Sequence, residues 1–228
     1  MLSLENVYVG QPGLLGYQRD RPVLSAIRKA EVAVPELALS ELNLAGDRQA
    51  DLTVHGGVDK AVYVYPAGHY ADWVADGFAV TRGDFGENLS LSGAAEDDVR
   101  IGDVWAWGDA LVQVSQPRSP CFKLAMRIGR KDVAPTMIDT GRSGWYLRVL
   151  KPGAVPTAGP VEVVERAAGP TVADVVVIAH INYAQLPPER VDAALDLAGR
   201  VLATPALAES YRRGYMSTVD RWLARRAG

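Results

Sequence analysis

The sequence has 228 residues, of which 48% are apolar and 22% charged, enough for one domain of ordinary size, or one domain with a small appendage. Its formal net charge of -3 excludes a strongly basic nucleic-acid binder and an acidic disordered chain as default interpretations. No apolar run approaches the roughly 20 residues of a membrane span. The start of the chain lacks a signal-peptide pattern. The single cysteine excludes an internal disulfide and a multi-cysteine zinc site. We therefore expect a folded cytoplasmic protein.

Short strands separated by turns are the pattern of the first 165 residues. Four runs are rich in β-branched or aromatic residues and bounded by Gly, Asp or Pro: 32–34, 62–65, 104–107 and 110–114. The Gly-Asp pair at 108–109 suits a hairpin turn. Residues 66–75 are predicted as a helix, whose apolar face would carry Tyr70, Trp73 and Val74. Many short strands at close spacing favour an antiparallel barrel or sandwich.

The composition changes near residue 166, where a Gly-Pro turn ends the strand pattern. Three helices are predicted beyond it, at about 171–183, 187–203 and 205–226. We therefore predict two domains, a β domain over residues 1–165 and a three-helix appendage over 166–228. The arginines of the last helix are interpreted as a solvated face, with a partner-docking surface as the alternative.

The segment 46–65 (GDRQADLTVHGGVDKAVYVY) is the first that could carry chemistry. Gly56 and Gly57 allow positive φ and a close approach of the backbone to a ligand. With Lys60 they could form an anion cradle, and His55 and Asp59 lie beside them. The spacing alone leaves open a tight turn between two strands with solvated charges.

The segment 115–123 (SQPRSPCFK) contains the one cysteine. Prolines stiffen the loop before Cys121, and Arg118 and Lys123 could favour its thiolate if they are close in space. A thiolate binds soft metals or attacks electrophiles. A lone cysteine can equally be an inert buried residue, and a catalytic pair of Cys121 with His55 also stays open.

Two further loops combine glycine with polar side chains. In 140–148 (TGRSGWYLR), Arg142 offers a forked donor beside Ser143. In 85–89 (FGENL), Asn88 could present a donor and an acceptor to the edge of a heterocycle. The alternatives are a loop with a solvated arginine and a simple turn.

Taken in this order, the motifs resemble the MOSC family, named after the C-terminal domain of molybdenum-cofactor sulfurase, and within it the YiiM-like bacterial branch. The segments that carry the resemblance are SAIRK at 25–29, GDRQAD at 46–51, VHGGVDKAVYVY at 54–65, FGENL at 85–89, IGD at 101–103, QPRSPCFKL at 116–124 and GRSGWYLRVL at 141–150. The helical tail resembles the three-helix appendage of the same branch. The resemblance implies a mainly β fold, a MOSC-type β-barrel with short peripheral helices and a C-terminal three-helix appendage.

The ligand that the resemblance implies is the molybdenum cofactor, a phosphorylated pterin whose dithiolene holds the metal. Cys121 would be the protein ligand of molybdenum. Backbone amides at Gly56 and Gly57, and those of the GRSG turn with Ser143, would reach the pterin, and Asn88 would face the pterin edge or the metal. Side-chain donors for the phosphate and pterin would be Lys29, Arg48, Lys60, Arg118 and Arg142. The parent sulfurase also uses pyridoxal phosphate, in a different domain, and that association transfers only in part.

The resemblance also implies a reaction, the reduction of N-hydroxylated compounds such as hydroxylaminopurines to amines. His55 or Asp59 would relay a proton, and a separate flavin-containing reductase would supply electrons, docking for example on the arginine-rich tail. The expected partners are this reductase and the small substrate, without nucleic acid or membrane, and the chain could form a homodimer. Three alternatives remain: a carrier of molybdenum cofactor or of sulfur as a Cys121 persulfide, a metal-free thiol nucleophile, and an interaction module.

Overall fold

The structure, a computed structural model, describes residues 1–50 and 56–226. Within these ranges, seven strands close a mixed β-barrel with six α-helices around it. The strands of the described residues are β1 (Leu2–Val9), β2 (Gly13–Gln18), β3 (Arg21–Ser25), β4 (Ala30–Glu31), β5 (Glu36–Leu39), β6 (Val62–Pro66), β7 (Leu89–Ser92), β8 (Val104–Trp107), β9 (Ala110–Pro117), β10 (Trp145–Lys151), β11 (Gly153–Pro156) and β12 (Gly159–Glu165). The helices are α1 (His69–Ala75), α2 (Phe122–Ile128), α3 (Val133–Thr140), α4 (Val172–His180), α5 (Pro188–Ala203) and α6 (Glu209–Arg226).

The barrel runs in the order β12, β8, β9, β10, β6, β7, β1, and pairing of β1 with β12 closes it. Neighbouring strands are antiparallel except β6 and β7, which are parallel. Strand β4 extends the sheet beside the far end of β1, and two small hairpin-like sheets, β2–β3 and β5–β11, lie outside the barrel. The closed circuit leaves no free edges along the seven barrel strands.

Strand β6 shows how the sequence divides the apolar interior into two clusters. All five of its residues are buried, because side chains alternate between the two faces of a strand that is covered on both. Val62 and Val64 point into the barrel, whereas Tyr63 and Tyr65 pack outside it against residues of α1, α2 and α3. Stacking of Tyr65 on Phe85, with ring centroids 4.6 Å apart, is part of this outer aromatic cluster.

The C-terminal helices pack on the barrel and share its core. Val172, Val175 and Val201 are fully or almost fully buried in the same cluster as the barrel interior. Helix α4 begins with a capping box, in which Thr171 accepts from the backbone of Asp174 and the Asp174 carboxylate accepts from the backbone of Thr171. The last barrel strand ends at residue 165, and the division into domains at 165/166 stays a prediction.

Several predicted elements are confirmed. The runs 62–65 and 104–107 form β6 and β8, and 110–114 is the first part of the longer β9. The Gly-Asp pair at 108–109 joins β8 to β9, with φ +57° at Gly108. The three C-terminal helices are also present, although α6 begins at Glu209 rather than 205. The mainly β barrel with peripheral helices and a helical C-terminus is therefore the observed fold.

Two local predictions were wrong, and two helices were not predicted. Residues 32–34 are not a strand: the ladder with β1 ends where the Val32 amide donates to the Val7 carbonyl, and Pro35 follows directly. Helix α1 begins at His69, because Pro66 still belongs to β6, and Val74 is 58% exposed rather than buried with Trp73. Helices α2 and α3 were not predicted, since each has no more than eight residues and leaves a weak periodic signal.

Candidate functional site

A cleft at one end of the barrel brings together most of the predicted site residues. Its walls come from the chain after β3, the turns before and after residues 51–55, the loop before β7 and the loop between β9 and α2. The described lining residues are Ser25, Ala26, Ile27, Lys29, Asp47, Arg48, Gln49, Ala50, Gly56, Lys60, Tyr63, Phe85, Gly86, Asn88, Arg118, Ser119, Cys121, Lys123 and Tyr146. Of the predicted site residues, Lys29, Arg48, Gly56, Lys60, Asn88, Arg118 and Cys121 belong to this set.

The turn that holds Gly56 and Gly57 requires glycine. Both residues have positive φ, +102° and +89°, a region that side chains disfavour. Gly57 precedes a short 3-10 turn, Val58–Lys60, that delivers Lys60 to the cleft. Burial lowers the pKa of the Lys60 ammonium. This arrangement suits the predicted anion cradle.

Only one of the two residues predicted to relay protons lies within the described part of the chain. His55 lies outside the described residues. The Asp59 carboxylate pairs with the Arg148 guanidinium at 2.8 Å, and Asp59 is not among the described lining residues. The backbone carbonyl of Asp59 accepts a hydrogen bond of 2.6 Å from the hydroxyl of Ser115 on β9. In this structure the Asp59 side chain therefore supports the turn from outside.

A buried ion pair lies in the cleft wall. Lys29 Nζ donates to Asp47 Oδ1 at 2.5 Å, and the same oxygen accepts from the Gly10 amide at 2.7 Å. Burial lowers the pKa of the Lys29 ammonium, and the charge of Asp47 opposes this shift. Asp47 is thus neutralised by Lys29 and fixes the turn that presents Arg48.

Asn88 uses its amide to hold the cleft walls together. Its Oδ1 accepts from the Tyr63 amide at 3.0 Å, and its Nδ2 donates to the Tyr8 carbonyl and to Asp47 Oδ2. The side chain connects β6, β1 and the Lys29–Asp47 pair, with only 4% of its surface exposed. Its role as a ligand of the pterin edge stays a prediction, and its hydrogen bonds show a structural role.

Glu87, next to Asn88, is a buried acid that holds the same loop. Its Oε1 accepts from the Gly83 amide at 2.7 Å, from the Ser90 hydroxyl at 3.2 Å and from the Tyr70 hydroxyl. Burial raises the pKa of the Glu87 carboxyl. The cleft residues Phe85 and Gly86 are part of the turn that these bonds close.

Arg118 is a buried guanidinium that faces the cleft. Its Cζ lies 5.0 Å from the centroid of the Tyr63 ring, a cation–π contact. The Tyr146 ring lies beside Tyr63, with centroids 5.2 Å apart, so two aromatic faces and one guanidinium form the floor. Desolvation of Tyr63 and Tyr146 raises the pKa of both phenols, which therefore stay neutral near Arg118.

Cys121 is a half-buried thiol at the end of the same loop. It lies directly before α2, and the charges of Arg118 and Cys121 are close enough to interact. Lys123 also faces the cleft, one residue after Phe122. A cationic environment of this kind favours the thiolate form, which is the metal ligand and nucleophile.

The two predicted ligands of the GRSG loop, Arg142 and Ser143, make their contacts with other parts of the protein. The Arg142 guanidinium donates to Asp76 at 2.6 Å and lies 5.6 Å from the Trp73 ring, over α1. The Ser143 hydroxyl is buried and donates to the Gly144 carbonyl at 2.8 Å. Neither residue is in the set of described residues that line the cleft. Their assignment as cofactor ligands stays a prediction.

The sequence did not predict the aromatic floor of the cleft, formed by Tyr63 and Tyr146, or the carboxylate of Asp47 in its wall. The alternation of VYVY at 62–65 would have placed Tyr63 on the opposite face from Val62 and Val64, but it does not say that this face borders a cleft. Asp47 was inside the quoted GDRQAD motif, but nothing in the spacing shows that Lys29 pairs with it. Such pairings depend on the fold.

The charge balance of the cleft is strongly positive. Among its described lining residues are five cations and one carboxylate; the cations are Lys29, Arg48, Lys60, Arg118 and Lys123, and the carboxylate is Asp47. The chain as a whole has a formal net charge of -3. This concentration of positive charge suits an anionic ligand.

A seven-stranded barrel with a cationic, cysteine-containing cleft defines the class of protein, and the comparisons with known proteins agree with it. The MOSC domain profile matches residues 51–162. Protein YiiM of Escherichia coli (strain K12) is 40% identical over 215 residues, which cover 91% of this chain and 88% of that protein. The crystal structure of YiiM from Geobacillus stearothermophilus superposes with a TM-score of 0.74 at 34% identity, covering 95% of this chain and 98% of that one.

The chain therefore belongs to the MOSC domain family, in the branch that contains YiiM. A protein of Gibberella moniliformis named "Reductase" is 37% identical over 149 residues, 63% of this chain but only 26% of that protein. Family membership supports a function related to the molybdenum cofactor. None of the described helices has the length and apolar character that crossing a membrane requires.

Proposed function

We propose that the chain binds the molybdenum cofactor in this cleft and reduces N-hydroxylated compounds to amines, with electrons from a separate flavin-containing reductase. The observation that carries the proposal is the placement of the single cysteine in a cleft with five cationic side chains, in a chain of the MOSC family. Each part of that cofactor has a chemically suitable counterpart among the described lining residues.

The donor set fits the cofactor. A thiolate is a soft ligand, so Cys121 suits molybdenum. The terminal phosphate needs cationic donors, which Arg48, Lys60 and Lys123 offer at the cleft. Gly56 has the positive φ that lets backbone amides approach a ligand, and aromatic side chains form the floor beneath a planar ring. The negative charge of Asp47 is balanced by Lys29, so this carboxylate adds no net repulsion toward an anionic cofactor.

The overall reaction is R–NHOH + 2 e⁻ + 2 H⁺ → R–NH₂ + H₂O, in which the N–O bond breaks and the nitrogen is reduced. When bound, the cofactor supplies the redox-active metal that delivers the electron pair. The chain would hold that group through Cys121 and keep a positive field around it through Arg118. Lys29 Nζ can hold a proton in the cleft, because Asp47 supports its charge while burial brings its pKa down.

Each turnover consumes two electrons, so the reaction needs a reductant. The relative named "Reductase", of which the matched segment is about a quarter (26%), supports reductive chemistry by its name. We propose that in the present case the donor is a separate protein. The family membership and this relative together support oxidoreductase activity.

The test is turnover of 6-hydroxylaminopurine by cofactor-loaded protein with reduced methyl viologen as an artificial donor. We expect conversion to the amine, and loss of that conversion in Cys121→Ser, whose hydroxyl is a poorer ligand for a soft metal. Arg142→Lys, at a residue outside the described lining of the cleft, is the matched control and should remain active. Absence of turnover in protein that retains molybdenum would contradict reductase activity and favour a carrier of cofactor or sulfur.

A further inference from the structure

A buried histidine–glutamate pair behind the cleft has no part in the reaction proposed above. Glu96 lies in the loop after β7 and is 5% exposed. Its Oε2 is 2.7 Å from His69 Nε2, at the start of α1. Its Oε1 accepts the backbone amide of Gly144 at 2.7 Å. The carboxylate thus connects α1 to the GRSG loop.

The Gly144 amide belongs to the same peptide group as the Ser143 carbonyl. That carbonyl accepts the Tyr63 hydroxyl at 2.8 Å. One peptide group is therefore held at both ends, by Glu96 on its N–H and by Tyr63 on its C=O. Gly144 has φ +63°, and glycine resists rotation of a neighbouring peptide group less than other residues do. Rotation of this group would break both bonds together.

Arg118 is connected to this peptide group and to the one that follows it. Its backbone amide donates to the Gly144 carbonyl at 3.2 Å. Its guanidinium lies over the Tyr63 ring, whose hydroxyl is fixed by Ser143. Displacement of the Ser143–Gly144 peptide group would therefore move the Tyr63 ring beneath the Arg118 side chain, and it would also disturb Gly144, whose carbonyl holds the Arg118 backbone.

We propose that Glu96 is a positioning residue that, through the Ser143–Gly144 peptide group and Tyr63, holds the Arg118 guanidinium toward Cys121. The inference rests on the geometry of the cleft and not on the proposed reaction. It also gives the GRSG motif a role that needs no direct contact with a ligand. Glu96 itself is outside the set of described residues that line the cleft.

The single cysteine provides a readout that requires neither cofactor nor turnover. Cys121 is alkylated in protein produced without molybdate, once with neutral iodoacetamide and once with anionic iodoacetate. The ratio of the two rates reports the positive field at the thiol, because a change in accessibility alters both rates alike. Arg118→Ala measures how much of the ratio depends on Arg118, and we expect it to lower the iodoacetate-to-iodoacetamide ratio about threefold.

A positioning role for Glu96 and a simple charge effect predict opposite changes in the iodoacetate-to-iodoacetamide ratio when the carboxylate is removed. Removing a carboxylate makes its surroundings more positive, so a pure charge effect would raise the ratio. If Glu96 positions Arg118, Glu96→Ala lowers the ratio toward the value of Arg118→Ala. Glu96→Gln should stay near the wild-type ratio, because its amide oxygen can still accept from the Gly144 amide and its amide nitrogen can donate to an imidazole nitrogen of His69.

Asp103→Ala is the matched control. Asp103 is also a fully buried acid that accepts a loop amide, that of Ala167 at 2.8 Å, but it is bonded on the side of the barrel that faces α4. We expect Asp103→Ala to lower the free energy of unfolding without changing the iodoacetate-to-iodoacetamide ratio. Glu96→Asp, whose shorter side chain cannot reach both partners, replaces Glu96→Ala if that variant does not fold.

The proposal is overturned if the ratio in Glu96→Ala or Glu96→Asp is unchanged or raised, or if Asp103→Ala lowers it equally. It is also overturned if Arg118→Ala leaves the ratio unchanged, since Arg118 would then exert no field at Cys121. If the protein instead proves to have no reductase activity, the alkylation rates of Cys121 are unaffected, and the proposal about Glu96 is still tested.

Discussion

The loops 118–121 and 141–144 lie side by side at one end of the barrel and look alike in sequence, but they face different surroundings. Strands β9 and β10 pair antiparallel with Trp145 opposite Pro117, so the two loops are neighbours. The first turns Arg118 and Cys121 into the cleft, whereas the second turns Arg142 toward α1. An arginine flanked by small residues therefore does not by itself indicate a ligand contact. The second loop acts on the cleft from behind.

The glycines of the second loop provide the largest expected effect. A Cβ at Gly144 would clash with the Val64 carbonyl and the rings of Tyr63 and Tyr65, at a positive φ. We expect Gly144→Ala to lower the free energy of unfolding by ~3 kcal/mol or more in urea denaturation. Gly141→Ala has positive φ but open space around the site, and about 1 kcal/mol is expected. Equal losses would contradict the packing role of Gly144.

The two arginines test the contrast between the loops directly. Arg118 is buried in the cleft, so Arg118→Ala should weaken binding of the molybdenum cofactor about 10- to 100-fold, the effect of losing a charged hydrogen bond. Arg142→Ala breaks the partly exposed pairs with Asp72 and Asp76 and the contact with the Trp73 ring over α1, and a change below about threefold is expected. Titration of the cofactor-free variants, followed by tryptophan fluorescence, measures both. A larger loss in Arg142→Ala would assign that residue to the ligand after all.

The pH dependence of cofactor binding distinguishes lysine from arginine in the cleft. Burial places the pKa of Lys29 below its usual value, and protonated Lys29 favours an anionic ligand. Affinity should therefore fall as the pH rises through that lowered pKa, while Arg118 keeps its charge. We expect the fall at alkaline pH, below the ordinary pKa of lysine, to be shallower in Lys29→Met. An unchanged slope would show that Lys29 does not titrate in this range.

The smallest effect is expected for Asp59, which faces away from the cleft as Arg142 does. Its pair with Arg148 is partly exposed, so Asp59→Asn should cost at most about 1 kcal/mol. With 6-hydroxylaminopurine as substrate we expect kcat to change no more than about twofold. A drop of a hundredfold, with normal stability, would instead support the proton relay predicted for Asp59.

Most of the fold could be predicted from the sequence because local signals agree with it. The alternating 62–65 run, the turn at 108–109 and the prolines near the C-terminal helices act over a few residues each. Helices α2 and α3 were missed because seven or eight residues give barely two turns of periodicity. Their tertiary contacts, not their propensity, decide that they form.

The sequence indicated many of the residues that form the candidate site, but it did not indicate how their side chains are arranged. The motifs singled out Gly56, Lys60, Arg118 and Cys121, all of which line the cleft. Which way Arg142 and Asp59 point depends on partners far away in the chain, Asp76 and Arg148, and no local pattern encodes those pairings. The relatives add no support for the association with pyridoxal phosphate.

The most direct test of the central claim is the content of molybdenum and of released oxidised pterin in protein from cells supplied with molybdate. The account predicts close to one of each per chain in the wild type, and a clear loss of both in Arg118→Ala but not in Arg142→Ala. Absence of both from the wild type, even after reconstitution with free cofactor, would contradict it and leave Cys121 as a sulfur carrier or nucleophile.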